Sequence, residues 1–76
     1  MNDRVKSLFF LIKENEVVIC ESNLKDLLKN LPKKLVGLRS YDYFYRAFQK
    51  SSRFEFEFDR EYIFQKKEYD GGRAIN

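Results

Sequence analysis

SYDYFYRAFQK, residues 40–50, is the stretch whose reading decides how this chain folds. Ser40 is a helix N-cap residue, since its hydroxyl can accept a hydrogen bond from an otherwise unpaired amide of the first turn. Asp42 puts negative charge near the positive end of the helix dipole, and Lys50 puts positive charge near the other end. Tyr41, Phe44, Tyr45 and Phe48 recur at i, i+3, i+4 and i+7, the spacing of one buried helical stripe. Tyr43, Arg46 and Lys50 fall off that stripe and form the outward face. Such a face can contact phosphates and stack on bases; the plainer alternative is a solvated face with one incidental tyrosine.

The flanks supply strands. Val5 to Lys13 reads as a strand whose core, Leu8 to Ile12, is apolar on both pleat faces and so suits the middle of a sheet. Residues 13–16 turn, and Val17 to Cys20 returns as the second arm of a hairpin. Ser22 or Asn23 caps a first helix with Leu24, Leu27, Leu28 and Leu31 on one face, and Pro32 ends it. Residues 32–39 connect the helices, with Leu35, Val36 and Leu38 tucked under and Gly37 free to take a positive φ. Downstream, Phe54, Phe56 and Phe58 alternate with Glu55 and Glu57, the pattern of a half-buried strand. Asp59-Arg60 is read as the turn, and Glu61 to Tyr69 as the returning strand. The expected fold is α+β, ordered ββ-α-α-ββ, an antiparallel sheet with two short helices packed on one face. It occupies residues 1–70 as a single domain, and residues 71–76 read as a loose tail.

Seventy-six residues with 43% hydrophobic and 17% aromatic content are enough for one small core and argue against intrinsic disorder. A single cysteine, Cys20, permits no intrachain disulfide and suits a reducing compartment. The five apolar residues Leu8 to Ile12 are too few for a signal peptide's apolar region or a membrane span, so the expectation is a cytoplasmic protein with no membrane partner.

Chemistry is mostly excluded. Without histidine, Ser-His, Cys-His and His-metal sites are out. Cys20 reads as a buried structural thiol. Glu55, Glu57 and Asp59 share a strand face and read as its wet side rather than a Mg²⁺ site. There is no glycine-rich phosphate loop. The expectation is a non-enzyme with no cofactor, no metal and no small-molecule substrate.

The order of hairpin, ES-N-LKDLLKNLP, a second helix with a basic exit, then FEF and YIFQKK resembles two groups. One is the short modular DNA-binding repeats that accompany homing endonucleases. The other is the small accessory proteins of phages of low-GC Gram-positive bacteria. The likeness covers Val17 to Lys66; Lys25 stands where the repeats favour Glu, and the loop between the helices is longer than theirs. The resemblance implies that Tyr43, Arg46 and Lys50 face DNA.

Net charge is +3, from 15 Lys plus Arg against 12 Asp plus Glu, and its placement is uneven. Residues 32–53 carry Lys33, Lys34, Arg39, Arg46, Lys50 and Arg53 against Asp42 alone, whereas residues 55–61 are mostly acidic. This suggests one basic side and one acidic side. Two functions follow as expectations. The first is a nucleic-acid-binding module using the basic, aromatic helix of Ser40 to Arg53, with Lys33, Lys34, Arg39, Tyr43, Arg46, Lys50 and Arg53 as binding residues. The alternative is a small phage or mobile-element protein that binds and inhibits or modulates a host protein, for example a host-defence nuclease, through the same residues. The acidic FEFEFD strand fits only the alternative. A homodimer through an edge strand is a further expectation.

Overall fold

In the computed structural model of the chain, residues 6–69 are described; Val5 and the expected tail lie outside them. The elements are β1 (Lys6–Lys13), β2 (Glu16–Glu21), α1 (Leu24–Lys29), α2 (Tyr41–Lys50), β3 (Arg53–Phe56) and β4 (Asp59–Tyr69). This is the expected ββ-α-α-ββ order. The strands form one antiparallel sheet ordered β2-β1-β4-β3. β1 is central, as its doubly apolar run requires.

Local chemistry sets the joints. Glu14 and Asn15 both take positive φ, 53° and 65°, which makes a two-residue type I′ hairpin loop whose twist matches the flanking strands. Asn tolerates that region well and Glu less so. The register of β1 on β2 shifts between Leu11 and Ile12 and leaves Val18 as the extra residue of a bulge. At α1 the cap is Asn23, not Ser22. Its side chain accepts from the Asp26 amide at 2.8 Å and donates to the Asp26 carboxylate at 3.0 Å. Ser40 caps α2 as expected, accepting from the Tyr43 amide.

The connection between the helices is two consecutive turns, the first closed by the Leu35 and Val36 amides on the Pro32 carbonyl and the second by the Leu38 amide on the Leu35 carbonyl. So short a connection aims few side chains inward. Leu35 is buried, while Val36 and Leu38, expected to tuck under, are exposed. Gly37 has the positive φ expected of it, 80°. The last hairpin also differs from expectation. Its turn is Glu57-Phe58, and Asp59 and Arg60 already belong to β4, because Phe56 pairs directly with Asp59. Phe58 therefore leaves the buried face of β3, and Glu57 leaves the strand it was read on.

Both helices cover one face of the sheet. The core joins Phe9, Leu11, Phe56, Tyr62 and Phe64 of the strands to Leu24, Leu27, Leu31, Leu35, Phe44 and Phe48 above them. Phe44 sits over Phe64 and Phe56, with ring centroids at 4.8 and 5.8 Å. Phe48 meets Phe9 at 5.4 Å and Phe54 at 5.0 Å. These offset and edge-on contacts are the ones aromatic rings favour.

Candidate binding surface

The helix that organises the core is rotated from its sequence reading. Phe44 and Phe48 are buried, but Tyr41 and Tyr45 are 51% and 49% exposed. Tyr43, read as outward, is half-buried and packs edge-on against Phe44 at 5.1 Å. The cause is the narrow contact of a ten-residue helix on a short, twisted sheet. Only the strip centred on Phe44 and Phe48 reaches the sheet, and Tyr43 lies on its β3 side. Tyr41 and Tyr45 lie on its α1 side, where their rings stack at 6.2 Å and 17°.

The expected basic surface is dispersed, and three of its six cations are neutralised by carboxylates. Arg39 donates from two guanidinium nitrogens to the Glu57 carboxylate, and its plane lies over the rings of Tyr43 and Phe58 at 4.9 and 5.2 Å. Lys34 pairs with Asp59 at 3.3 Å and sits over Tyr62. Arg46 pairs with Asp42 one turn before it, at 3.2 Å. Arg53 donates to the Gln65 side chain at 3.0 Å on the opposite face of the sheet. Lys33 and Lys50 are exposed and make no ion pair among the described residues. Tyr43, Arg46 and Lys50 do come together, in a shallow cleft between α2 and β3 that Phe54 and Glu55 also line. The expectation of one basic and one acidic side is thereby overturned. The β3–β4 turn folds back beneath the residue 32–39 loop, so Glu57 and Asp59 meet Arg39 and Lys34.

Sequence reasoning missed a second surface, on the α1 side of α2. A groove there is lined by Lys25, Leu28, Lys29, Arg39 and Tyr41. Leu28 is half-buried in its floor. Lys25 and Lys29 are exposed and, among the described residues, carry no ion pair. Beyond Tyr41 the ridge continues to Tyr45 and Gln49, above a hollow that reaches Phe9 and Lys66. The signal was present in the sequence as the LKDLLK face and the extra tyrosines of α2. It was masked because Tyr41 and Tyr45 fit the buried stripe by spacing alone.

Cys20, read as buried, is exposed, because on the outer strand β2 it lies on the face away from the helices, opposite Phe10. Lys13 keeps its proton to a higher pH than usual. The phenol of Tyr62 beneath it is the main cause, desolvation opposes the shift, and Glu61 adds to it. Among the described residues no three potential metal-ligating side chains converge, and no helix is long and apolar enough to cross a membrane. No protein-family model, no curated protein and no solved structure matches the chain.

Proposed function

We propose that this chain is a non-enzymatic binding module that docks a protein partner on the face shared by α1 and α2, in the manner of a small inhibitor or adaptor. The observation that carries the reading is the exposed, stacked Tyr41–Tyr45 pair beside Leu28, rimmed by Lys25 and Lys29, whose ammonium groups carry no ion pair among the described residues. Tyrosines give large, rigid contact area at low entropic cost, and they dominate binding energy when surrounded by weaker contacts that exclude water. The two lysines select an acidic partner segment and speed its approach. Against nucleic acid on the Arg39 to Arg53 segment stand the pairing of Arg39 and Arg46 with carboxylates and the half-burial of Tyr43. Each cation already neutralised releases fewer counterions on meeting a phosphate.

A second reading keeps one observation in its favour. Two exposed aromatic rings with lysines nearby also suit single-stranded nucleic acid, which stacks bases on such rings. The test separates the two. The chain, and a Tyr41→Ser/Tyr45→Ser variant, are immobilised and exposed to extract with and without nuclease, and both are titrated with labelled single-stranded and duplex oligonucleotides at about 50 mM salt, where the electrostatic term is strong. Protein binding predicts a nuclease-resistant protein captured only by the unsubstituted chain, and negligible oligonucleotide affinity. Oligonucleotide binding with a log–log salt slope near −1.4, about −0.7 for each of two lysine contacts on a single strand, lost in the Tyr variant, would overturn it in favour of the second reading.

A further inference from the structure

We propose that the sheet face turned away from the helices is a homodimer interface, its occupant a second copy of this chain in a two-fold, face-to-face arrangement. Residues paired across neighbouring strands share a face, so the register defines this surface. One row across the sheet is Cys20, Phe10, Gln65 and Arg53, and the next is Val17, Ile12, Ile63 and Glu55. A third, Leu8 with Lys67, flanks the first. Leu8, Phe10, Ile12 and Ile63 are half-buried only by their sheet neighbours. They belong neither to the core nor to the side chains packed on it. Antiparallel sheets commonly leave one face to water, but that face is then polar; here its centre is not.

Charge names the occupant. Along β3 and β4 the face is basic at one end, with Arg53 and Lys67, and acidic at the other, with Glu55; Glu61, further along β4, is held by Lys13 at 3.6 Å. Arg53, Lys67 and Glu55 are exposed. A two-fold axis lying in the interface, running across the strands between the Phe10 row and the Ile12 row, reverses strand direction. It sets Arg53 opposite the second copy's Glu55 and Phe10 opposite its Ile12. An isologous contact must be self-complementary in this way, and packed sheets keep their strands near alignment about 10 Å apart. Four strands span only about 15 Å, so the footprint is smaller than the ~800 Å² per partner of a standard interface, and the association is weak and concentration-dependent.

Sedimentation equilibrium of the full chain under reductant, from micromolar to about 1 mM, spans the affinities such an interface can reach. The mass is expected to rise toward twice the monomer value. Arg53→Glu or Glu55→Arg alone places like charges at two symmetric positions and should weaken association about tenfold. The double swap, Arg53→Glu with Glu55→Arg, restores the complement and should recover it. Far-UV circular dichroism and thermal melting verify that each variant folds. A chain that stays monomeric throughout overturns the proposal, as does association indifferent to the single reversals, which would instead place it at the β2 edge or elsewhere.

Discussion

Replacing Phe44 by Ala tests the rotation of α2 directly, because the side chain at the next position serves as the control. Phe44 is 1% exposed, with Phe64, Tyr43 and Phe56 rings at 4.8, 5.1 and 5.8 Å. A buried aromatic side chain removes about 150–250 Å² from water, which at about 25 cal/mol/Å² is about 4–6 kcal/mol. Alanine keeps its Cβ, so the expected loss is about 3–5 kcal/mol, most of a small domain's stability. Tyr45 is half exposed and stacks on the equally exposed Tyr41, so Tyr45→Ala should cost less than about 1 kcal/mol. Urea unfolding followed by far-UV circular dichroism gives both values, provided m stays constant. If Phe44→Ala does not fold, Phe44→Leu stands in, with an expected cost of about 1–2 kcal/mol. Equal losses at positions 44 and 45, the outcome of a stripe that buries both, would refute the reasoning.

Two further outcomes follow from the loops. Glu14→Asn with Asn15→Gly supplies residues that accept positive φ and should stabilise the protein by about 1 kcal/mol, raising the melting temperature by about 4–8 °C; no rise would mean that the turn is not type I′. Arg39→Ala should cost about 1–2 kcal/mol, from its ion pair with Glu57, itself discounted for exposure, and from its cover over Tyr43 and Phe58. Arg39→Lys should recover less than half of that, since a lysine lacks the planar fork; full recovery by lysine would show that charge alone mattered.

The sequence declares the elements more plainly than it declares their faces. Asn23, Pro32, Ser40 and the alternating phenylalanines each mark a boundary or a period through backbone chemistry that acts locally. The phase of β1 was not legible in the same way. Phe9 and Leu11 face the helices while Phe10 faces away, yet the run Leu8 to Ile12 is apolar on both sides and carries no mark of which side is inward. The rotation of α2 is similar, since Tyr41 and Tyr45 fit a buried stripe by spacing and only the narrowness of the contact exposes them. The neutralised cations were hidden for another reason. Arg39 with Glu57 and Lys34 with Asp59 are pairs made by tertiary folding between a loop and a distant turn, and a one-dimensional count of charges assigns them to opposite camps.

The strand order β2-β1-β4-β3 also dictates when the protein can become stable as it is made. Its two hairpins are local, but the seam that joins them is β1 on β4, in which Lys6 pairs with Tyr69 across nearly the whole described length. Across that seam the buried Leu11 pairs with Phe64, which lies beneath Phe44, and Phe9, beneath Phe48, pairs with Lys66. Until β4 emerges from the ribosome, β1 has an open edge, and α2 lacks the floor that its phenylalanines need. The loop-closure cost of such a pairing falls before its reward, so the nascent chain carries exposed aromatics until β4 is made. Folding of this unit is in this sense gated by β4, and a chain stalled before residue 59 would be a substrate for chaperones or proteases rather than a partly working module.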